Sequence, residues 1–274
     1  MSVVTSASTL EASDPLFQRL RAEAEAALKQ EPGLGALLND TILAQASLED
    51  AVAYRVADRL AGPEASGAAI RRAFTQYFER QPDASAILRA DLLAVLERDP
   101  ACTRLLEPIL YFKGFHAIQA HRVAHAAWLG GRSDLALSLQ SLSSQKFQTD
   151  IHPAARIGRG FFLDHATGVV IGQTAVIEDE VSMLHAVTLG GSGKKSGERH
   201  PKVRRGVLIG AGAQIFGNIE IGAGALVAAG SLVLKDVPPH KTVAGSPARI
   251  VGDATEVAPA HAMDQVHDVI DSGI

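Results

Sequence analysis

The spacing of apolar positions divides the chain near residue 150. Before that point they recur every three or four residues, the period of a helix with one buried face. Asp14-Pro15 reads as an N-cap followed by proline in the first turn. Leu16, Phe17, Leu20 and Leu28 continue the stripe, which stops at Glu31-Pro32-Gly33. Ser47 with Asp50 resembles a capping box ahead of Val52, Val56 and Leu60, and Gly62-Pro63 ends that segment. Ile70, Phe74, Tyr77 and Phe78 predict another helix, and Ile87, Leu88, Leu92, Val95 and Leu96 the next, ending at Asp99-Pro100. One long helix is expected from Pro108 to Leu129, closed by Gly130-Gly131, and a last one from Asp134 to about Lys146.

From residue 151 the period becomes six. Ile151, Ile157, Leu163, Val169, Ala175, Val181 and Val187 follow one another at that interval. After a break the series resumes with Val203, Ile209, Ile215, Ile221, Val227 and Val233. Hexapeptide periodicity predicts a parallel β-helix, three short strands to a triangular coil and about four to five coils here. The change of frame requires a loop between about Gly190 and Lys202 that leaves the coil, and loops on a regular scaffold tend to carry function. The expected class is α+β: an N-terminal all-helical domain followed by a left-handed parallel β-helix. The expected divisions are a disordered extension over 1–14, helices over 15–147, the β-helix over 148–252 and a flexible tail over 253–274.

Composition narrows the function. Of 274 residues, 47% are hydrophobic and only 5% aromatic, and eighteen of the 25 glycines lie after residue 150, as suits a rod of small and β-branched side chains. A net charge of −4 argues against a nucleic-acid binder. The single cysteine, Cys102, excludes an internal disulfide and a cysteine-based zinc site. No secretory signal is visible at the start, and no stretch approaches the roughly eighteen apolar residues of a membrane span. A cytoplasmic protein with no membrane partner is expected.

Several polar groups are candidates for chemistry. His121 and His125 are four apart with His116 nearby, but Arg122 stands where the zincin pattern needs Glu, so no metal site is expected. Lys194, Lys195, Arg199, Lys202, Arg204 and Arg205 surround the interrupting loop, either as a solvated face or as a cradle for a phosphorylated ligand. His152, His165, His185 and His200 gather with Asp150 and Asp164 near that loop, a composition suited to general-base catalysis.

The runs Asp150-Ile151-His152-Pro153-Ala154-Ala155, Asp164-His165-Ala166-Thr167-Gly168, Val187-Thr188-Leu189-Gly190-Gly191 and Arg199-His200-Pro201-Lys202 resemble the serine O-acetyltransferases. So does Leu110-Tyr111-Phe112-Lys113-Gly114-Phe115-His116 ahead of the repeats. The resemblance is strong from about Asp99 to Gly252 and weaker before. It implies transfer of acetyl from acetyl-CoA to L-serine, the first step of cysteine synthesis, with inhibition by L-cysteine. His165 would be the general base and Asp150 would orient its imidazole, the job of the carboxylate in a catalytic triad. By the same resemblance Arg199 would clamp the serine carboxylate, Asp99 and Asp164 would receive its ammonium group, and His200 would line the pocket. Coenzyme A would lie between coils of two subunits of a trimer or a dimer of trimers. Its pantetheine arm would run near Gly191, Ser192, Ala211 and Ala229, and its phosphates would meet Lys235 or Lys241. The end of the chain, Asp271-Ser272-Gly273-Ile274, resembles the family tail that inserts into O-acetylserine sulfhydrylase through its last isoleucine.

Three alternatives stay open on the residues alone. A sugar acyltransferase could use the same rod, since fold does not fix substrate, although Asp99 and Asp164 with Arg199 favour a zwitterion. A γ-type carbonic anhydrase needs three zinc-binding histidines, including a pair about five apart within the coils, and 152, 165, 185 and 200 contain none. A non-catalytic scaffold would be expected to lack the Asp150/His165 pairing.

Overall fold

The computed structural model describes residues 14–193, 196–254 and 258–264. Helix α1 (Pro15–Gln30) starts where the cap predicts, with Asp14 Oδ1 accepting the Leu16 N–H at 3.0 Å. A short helix α2 (Gly35–Leu38), flanked by tight and wide turns at Pro32–Leu34 and Asn39–Leu43, follows without any signal in the spacing. Ser47 Oγ accepts the Asp50 N–H at 3.1 Å and opens α3 (Leu48–Leu60). Helices α4 (Gly67–Arg80) and α5 (Ala84–Arg98) come next. The single helix expected from Pro108 to Leu129 is instead two, α6 (Leu106–Leu110) and α7 (Lys113–Leu129). The break falls at Tyr111-Phe112, where Phe112 adopts φ −83° and ψ 105°. His116 fills the bend: its buried Nε2 donates to the Ile109 carbonyl at 2.7 Å. Helix α8 (Ser133–Phe147) completes the domain.

The rest of the chain coils. Strands β1 (Thr149–Ile151), β4 (Val169–Ile171), β7 (Thr188–Gly190), β10 (Gln214–Phe216) and β13 (Leu232–Val233) stack in parallel as one sheet, and count five coils. A second sheet holds β2 (Arg156–Ile157), β5 (Val176–Ile177), β8 (Lys202–Val203) and β11 (Glu220–Ile221). The third holds β3 (Phe162–Leu163), β6 (Ser182–Met183), β9 (Leu208–Ile209), β12 (Leu226–Val227) and β14 (Lys241–Gly245), with β15 (Ala248–Asp253) turning back antiparallel. The aliphatic residues of the six-residue series form a continuous core along the axis, all buried except the half-buried Ile157.

Register corrects the simple period. A regular coil takes 18 residues, as in Leu208 over Leu226, but Ile151 lies under Ile171, 20 residues on. Val169 therefore does not continue the column of Ile151, Ile157 and Leu163, and sits above Thr149 instead. The two extra residues fall between Leu163 and Val169, in the turn that carries Asp164 and His165. The second departure is larger: Ile177 lies under Val203, 26 residues on, and its eight extra residues form the loop expected between Gly190 and Lys202. Both irregularities of the rod hold candidate site residues.

Helices and rod are fastened by a buried ion pair. Arg122 of α7 donates from Nε and Nη2 to the two oxygens of Asp91 on α5, at 2.6 and 2.8 Å, and their side chains are 6% and 1% exposed. The same guanidinium donates to the carbonyls of Ile157 and Gly158 in the first coil, at 3.0 and 2.7 Å. Gln119 and the Phe161 N–H also donate to Asp91. Apolar side chains are exchanged as well: Ile118 of α7 joins the rod's core and Phe162 of β3 joins the helical core.

In the segment read as a flexible tail, α9 (Pro259–Ala262) packs against α5 and β6. Its Ala260 is buried, and the Ala260 carbonyl accepts from Ser182 Oγ at 2.7 Å. Residues 1–13 and 265–274, with Ile274, lie outside the described residues. We expect Asp91→Ala to strand the Arg122 charge and cost about 3–5 kcal/mol, as broken buried pairs do. A urea midpoint shifted by the equivalent of less than about 1 kcal/mol would contradict this reading of the junction.

Candidate active site

The sequence-predicted residues gather at two corners of the triangular coil. At the corner joining β3 to β4, a cavity of ≈ 310 Å³ is lined by Asp99, Lys113, Asp164 and His165. Asp99 ends α5 and anchors its own turn, with Oδ1 accepting the Ala101 N–H at 2.9 Å. Burial raises the Asp164 carboxyl above the ordinary carboxylate range, and the negative charge of Asp99 adds to the effect while His165 opposes it.

His165 stands out from the coil. Its side chain is 73% exposed, with Nε2 3.6 Å from Asp164 Oδ2 and the ring edge-on to His185 at 5.9 Å between centroids. The inserted residues explain this posture. His165 and Ala166 have φ of 56° and 61°, left-handed values that cost roughly 1–2 kcal/mol per non-glycine residue. The strain is held by bonds at both ends of the turn: Asp164 N–H to the Met183 carbonyl at 2.9 Å, and Gly168 N–H to the Gln148 carbonyl at 2.8 Å. Ala166 is fully buried, so the turn cannot relax outward without unpacking it.

The second group lies at the corner joining β4 to β5. Thr174 Oγ1 accepts the N–H groups of Arg199 and His200 at 3.1 and 3.2 Å and so folds the end of the long loop back onto the rod. Thr174 N–H donates to His200 Nδ1 at 3.2 Å, with Oγ1 2.8 Å from the same nitrogen. Nδ1 is thus an acceptor, which assigns the ring proton to Nε2. Burial, then the charges of Arg199 and Lys202, hold His200 below the ordinary histidine range, in keeping with a neutral ring. The ring presses on Gly172, where a Cβ would fall 2.0 Å from it, so only glycine fits. Arg199 is steadied by Gln173 Oε1 at 3.0 Å. His152 stands between Trp128, edge-on at 5.3 Å, and the field of Asp150 and Arg199.

Asp150 is on β1, and its Oδ1 accepts from Gln140 of α8 at 2.6 Å. Among the described residues, the single chain makes no hydrogen bond or ion pair between Asp150 and His165. Asp150 is thus bound to α8, while its strand borders the turn: Thr149 Oγ1 donates to the Ala166 carbonyl at 3.4 Å.

Gly191 and Ser192 follow β7 at the root of the long loop, with a Gly191 Cβ position 3.1 Å from His200 Nε2. Ala211 and Ala229 stack one coil apart, joined by the Gly230 N–H bond to the Ala211 carbonyl at 2.8 Å. The two candidate lysines differ: Lys241 is paired with Asp253, whereas Lys235 makes no ion pair with any described residue. The basic cluster is largely neutralised, with Arg204 on Glu178 and Glu220, Arg205 on Asp179 and Lys202 on Glu198. Lys194 and Lys195 lie outside the described residues. The three helix histidines serve packing. His116 is pushed down to about 3 by burial, His121 is lowered by burial too, and His125 Nδ1 donates to the Pro153 carbonyl at 2.7 Å. Thr174 and Lys113 were missed by the sequence reading. Thr174 gives no signal in the sequence, and Lys113 stands inside the run Leu110 to His116 with nothing to mark it out from its neighbours.

Residues 16–120 match the family model for the serine acetyltransferase N-terminal region. A Salmonella typhimurium serine acetyltransferase is 51% identical over 250 residues, covering 91% of this chain and 92% of that protein. A crystal structure of the Brucella abortus serine acetyltransferase in complex with coenzyme A is 58% identical, with a TM-score of 0.88 over 90% of this chain and 98% of that one. A serine acetyltransferase solved in complex with cysteine is 46% identical, with a TM-score of 0.89 over 92% and 98%. The chain belongs to the serine acetyltransferase family. Membership in that family decides against the sugar acyltransferase, the carbonic anhydrase and the scaffold.

The raised Asp164 carboxyl has a consequence for stability. Its folded form holds a proton more readily than the unfolded chain, so the penalty is present above the raised value and fades as pH falls toward the ordinary carboxylate range. We expect Asp164→Asn to be as stable as the parent or more so at pH 7, with the difference vanishing near pH 4. An Asn variant clearly less stable than the parent at pH 7, in paired thermal melts, would contradict the assignment.

Proposed function

We propose that the family's reaction runs at a site completed by two subunits: acetyl-CoA and L-serine give O-acetyl-L-serine and CoA. The observation that carries this reading is the cavity at the first corner, where two carboxylates adjoin an exposed imidazole. The acid pair suits the ammonium of an amino acid and places its hydroxyl beside His165. A serine hydroxyl is a weak nucleophile at neutral pH, so His165 takes its proton as the oxygen attacks the thioester carbonyl. Asp150, whose Oδ2 makes no hydrogen bond to a described residue, receives the imidazole N–H when the ring turns toward β1.

Arg199 and His200 sit at the other corner of the same chain, at the far end of the first sheet, and complete the site from a neighbouring subunit. There Arg199 clamps the serine carboxylate, and His200 presents its Nε2–H to the acyl oxygen as negative charge develops. Coenzyme A lies in the groove between the two rods. Small side chains at Gly191, Ser192, Ala211 and Ala229 leave room for its pantetheine arm, and Lys235 is the lysine left for its phosphates. A trimer, or two trimers joined through their helices, is the assembly this requires.

L-Cysteine differs from serine by sulfur for oxygen and takes the same carboxylate and ammonium contacts. It therefore inhibits in competition with serine. The sequence resemblance carries two further parts of the proposal, a cytoplasmic enzyme and docking of O-acetylserine sulfhydrylase on Ile274.

His165→Ala is expected to lower kcat, followed as release of the CoA thiol, by a factor on the order of 10²–10⁴ with the fold retained. Turnover close to the parent's would sink the mechanism. Arg199→Ala should weaken serine and cysteine together in competition assays, and loss of only one would show that they occupy different sites.

A further inference from the structure

The centre of the run Leu110 to His116, away from the reacting groups, touches the turn that bears the proposed base. Helix α7 begins at Lys113, and Gly114 lies so close to the rod that a Cβ there would fall 2.0 Å from the Leu163 carbonyl oxygen and 3.4 Å from the Ala166 Cβ. The helix start is thus packed against the residues on either side of Asp164 and His165. Lys113 reaches past this contact and donates from Nζ to Thr167 Oγ1.

The inventory of Thr167 gives that bond its meaning. A hydroxyl has one proton and two lone pairs. With Lys113 filling a lone pair, the Thr167 proton is free for the His165 carbonyl, 3.4 Å away, to which the Thr167 N–H also donates at 2.7 Å. The order is Lys113 ammonium, Thr167 hydroxyl, His165 carbonyl. It ends on the backbone of a residue held at φ 56°, next to another at 61°. Such a conformation persists only where its surroundings over-determine it. Helix α7 is a stiff anchor for this purpose, because Arg122 pins it to α5 and to the first coil.

We propose that Lys113 and Gly114 are positioning residues for His165. Gly114 permits the close approach, and Lys113 holds the strained turn through Thr167. The inference rests on the reading of His165 as the base. It assigns Lys113 no contact with substrate, although its side chain borders the same cavity. A point charge on a flexible stem suits this work, and arginine could replace it in part.

Four variants test it: Lys113→Met, Lys113→Arg, Thr167→Val and the Lys113→Met/Thr167→Val pair, each beside the parent and His165→Ala. Gly114→Ala would drive its Cβ into the Leu163 backbone and disturb the fold itself, so the variants change only Lys113 and Thr167. Lys113→Met and Thr167→Val should each lower kcat ten- to a hundredfold, the order expected when a catalytic group is displaced by about an ångström. KM for serine should stay within about twofold, Lys113→Arg should recover most of the loss, and the pair should be no worse than either single change. Losses that add, or kcat values within twofold of the parent, would overturn the relay. A rise in serine KM at unchanged kcat would also overturn it, by showing that Lys113 touches substrate. Failure of the proposed function reads differently: the parent would not acetylate serine, or His165→Ala would keep its rate.

Discussion

Eighteen residues per coil is the constraint on which the rest of this molecule depends. A parallel β-helix keeps its backbone bonds and its aliphatic column only while each strand lies over the one below. Any extra residue must therefore leave the rod at a corner. This chain spends two residues at the turn of Asp164 and His165 and eight in the loop that ends at Arg199 and His200. Those two ejections raise polar, titratable groups above an otherwise closed apolar column. The rod thus gives the site rigid footing, while the departures from its period give it chemistry.

The helical domain supplies the second requirement, a fixed wall for the cavity at the His165 corner. Asp99 comes from the end of α5 and Lys113 from the start of α7, and the same two helices are bolted together by Asp91 and Arg122. A buried pair of this kind is weak evidence for net stability but a strong means of fixing register between elements. Here it sets the height of α7 against the first coil. That height brings Gly114 against Leu163 and decides where the acid pair stands relative to the imidazole.

Much of this was legible in the residues. Caps at Asp14 and Ser47, the period of six and the interrupting loop all reappear in the structure. The misses have physical causes. Positions two apart along a coil are often both buried and aliphatic, as Val169 with Ile171 and Val187 with Leu189, so the series Leu163, Val169, Ala175 runs on unbroken while the true column shifts by two. The break at Tyr111-Phe112 is invisible because apolar residues continue through it. The candidate site residues stand out by resemblance and composition, but their division between two corners does not. It depends on which corner the loop folds over, and that is set by Thr174 and Gly172, neither of which stands out in the sequence. The side chains of Asp150 and His165 also take partners that no spacing announces, Gln140 for the first and Asp164 with His185 for the second.

The central claim is that His165 and His200 act on one substrate although they lie at opposite ends of a sheet within each chain. Co-expression of His165→Ala and His200→Ala chains, each inactive alone, tests it directly. If sites form between subunits, random assortment pairs an intact His165 with an intact His200 at about one site in four, and the co-expressed population as a whole regains about a quarter of the parental serine acetylation. Mixed oligomers as inactive as either parent variant would place both histidines of a site on one chain and contradict the account.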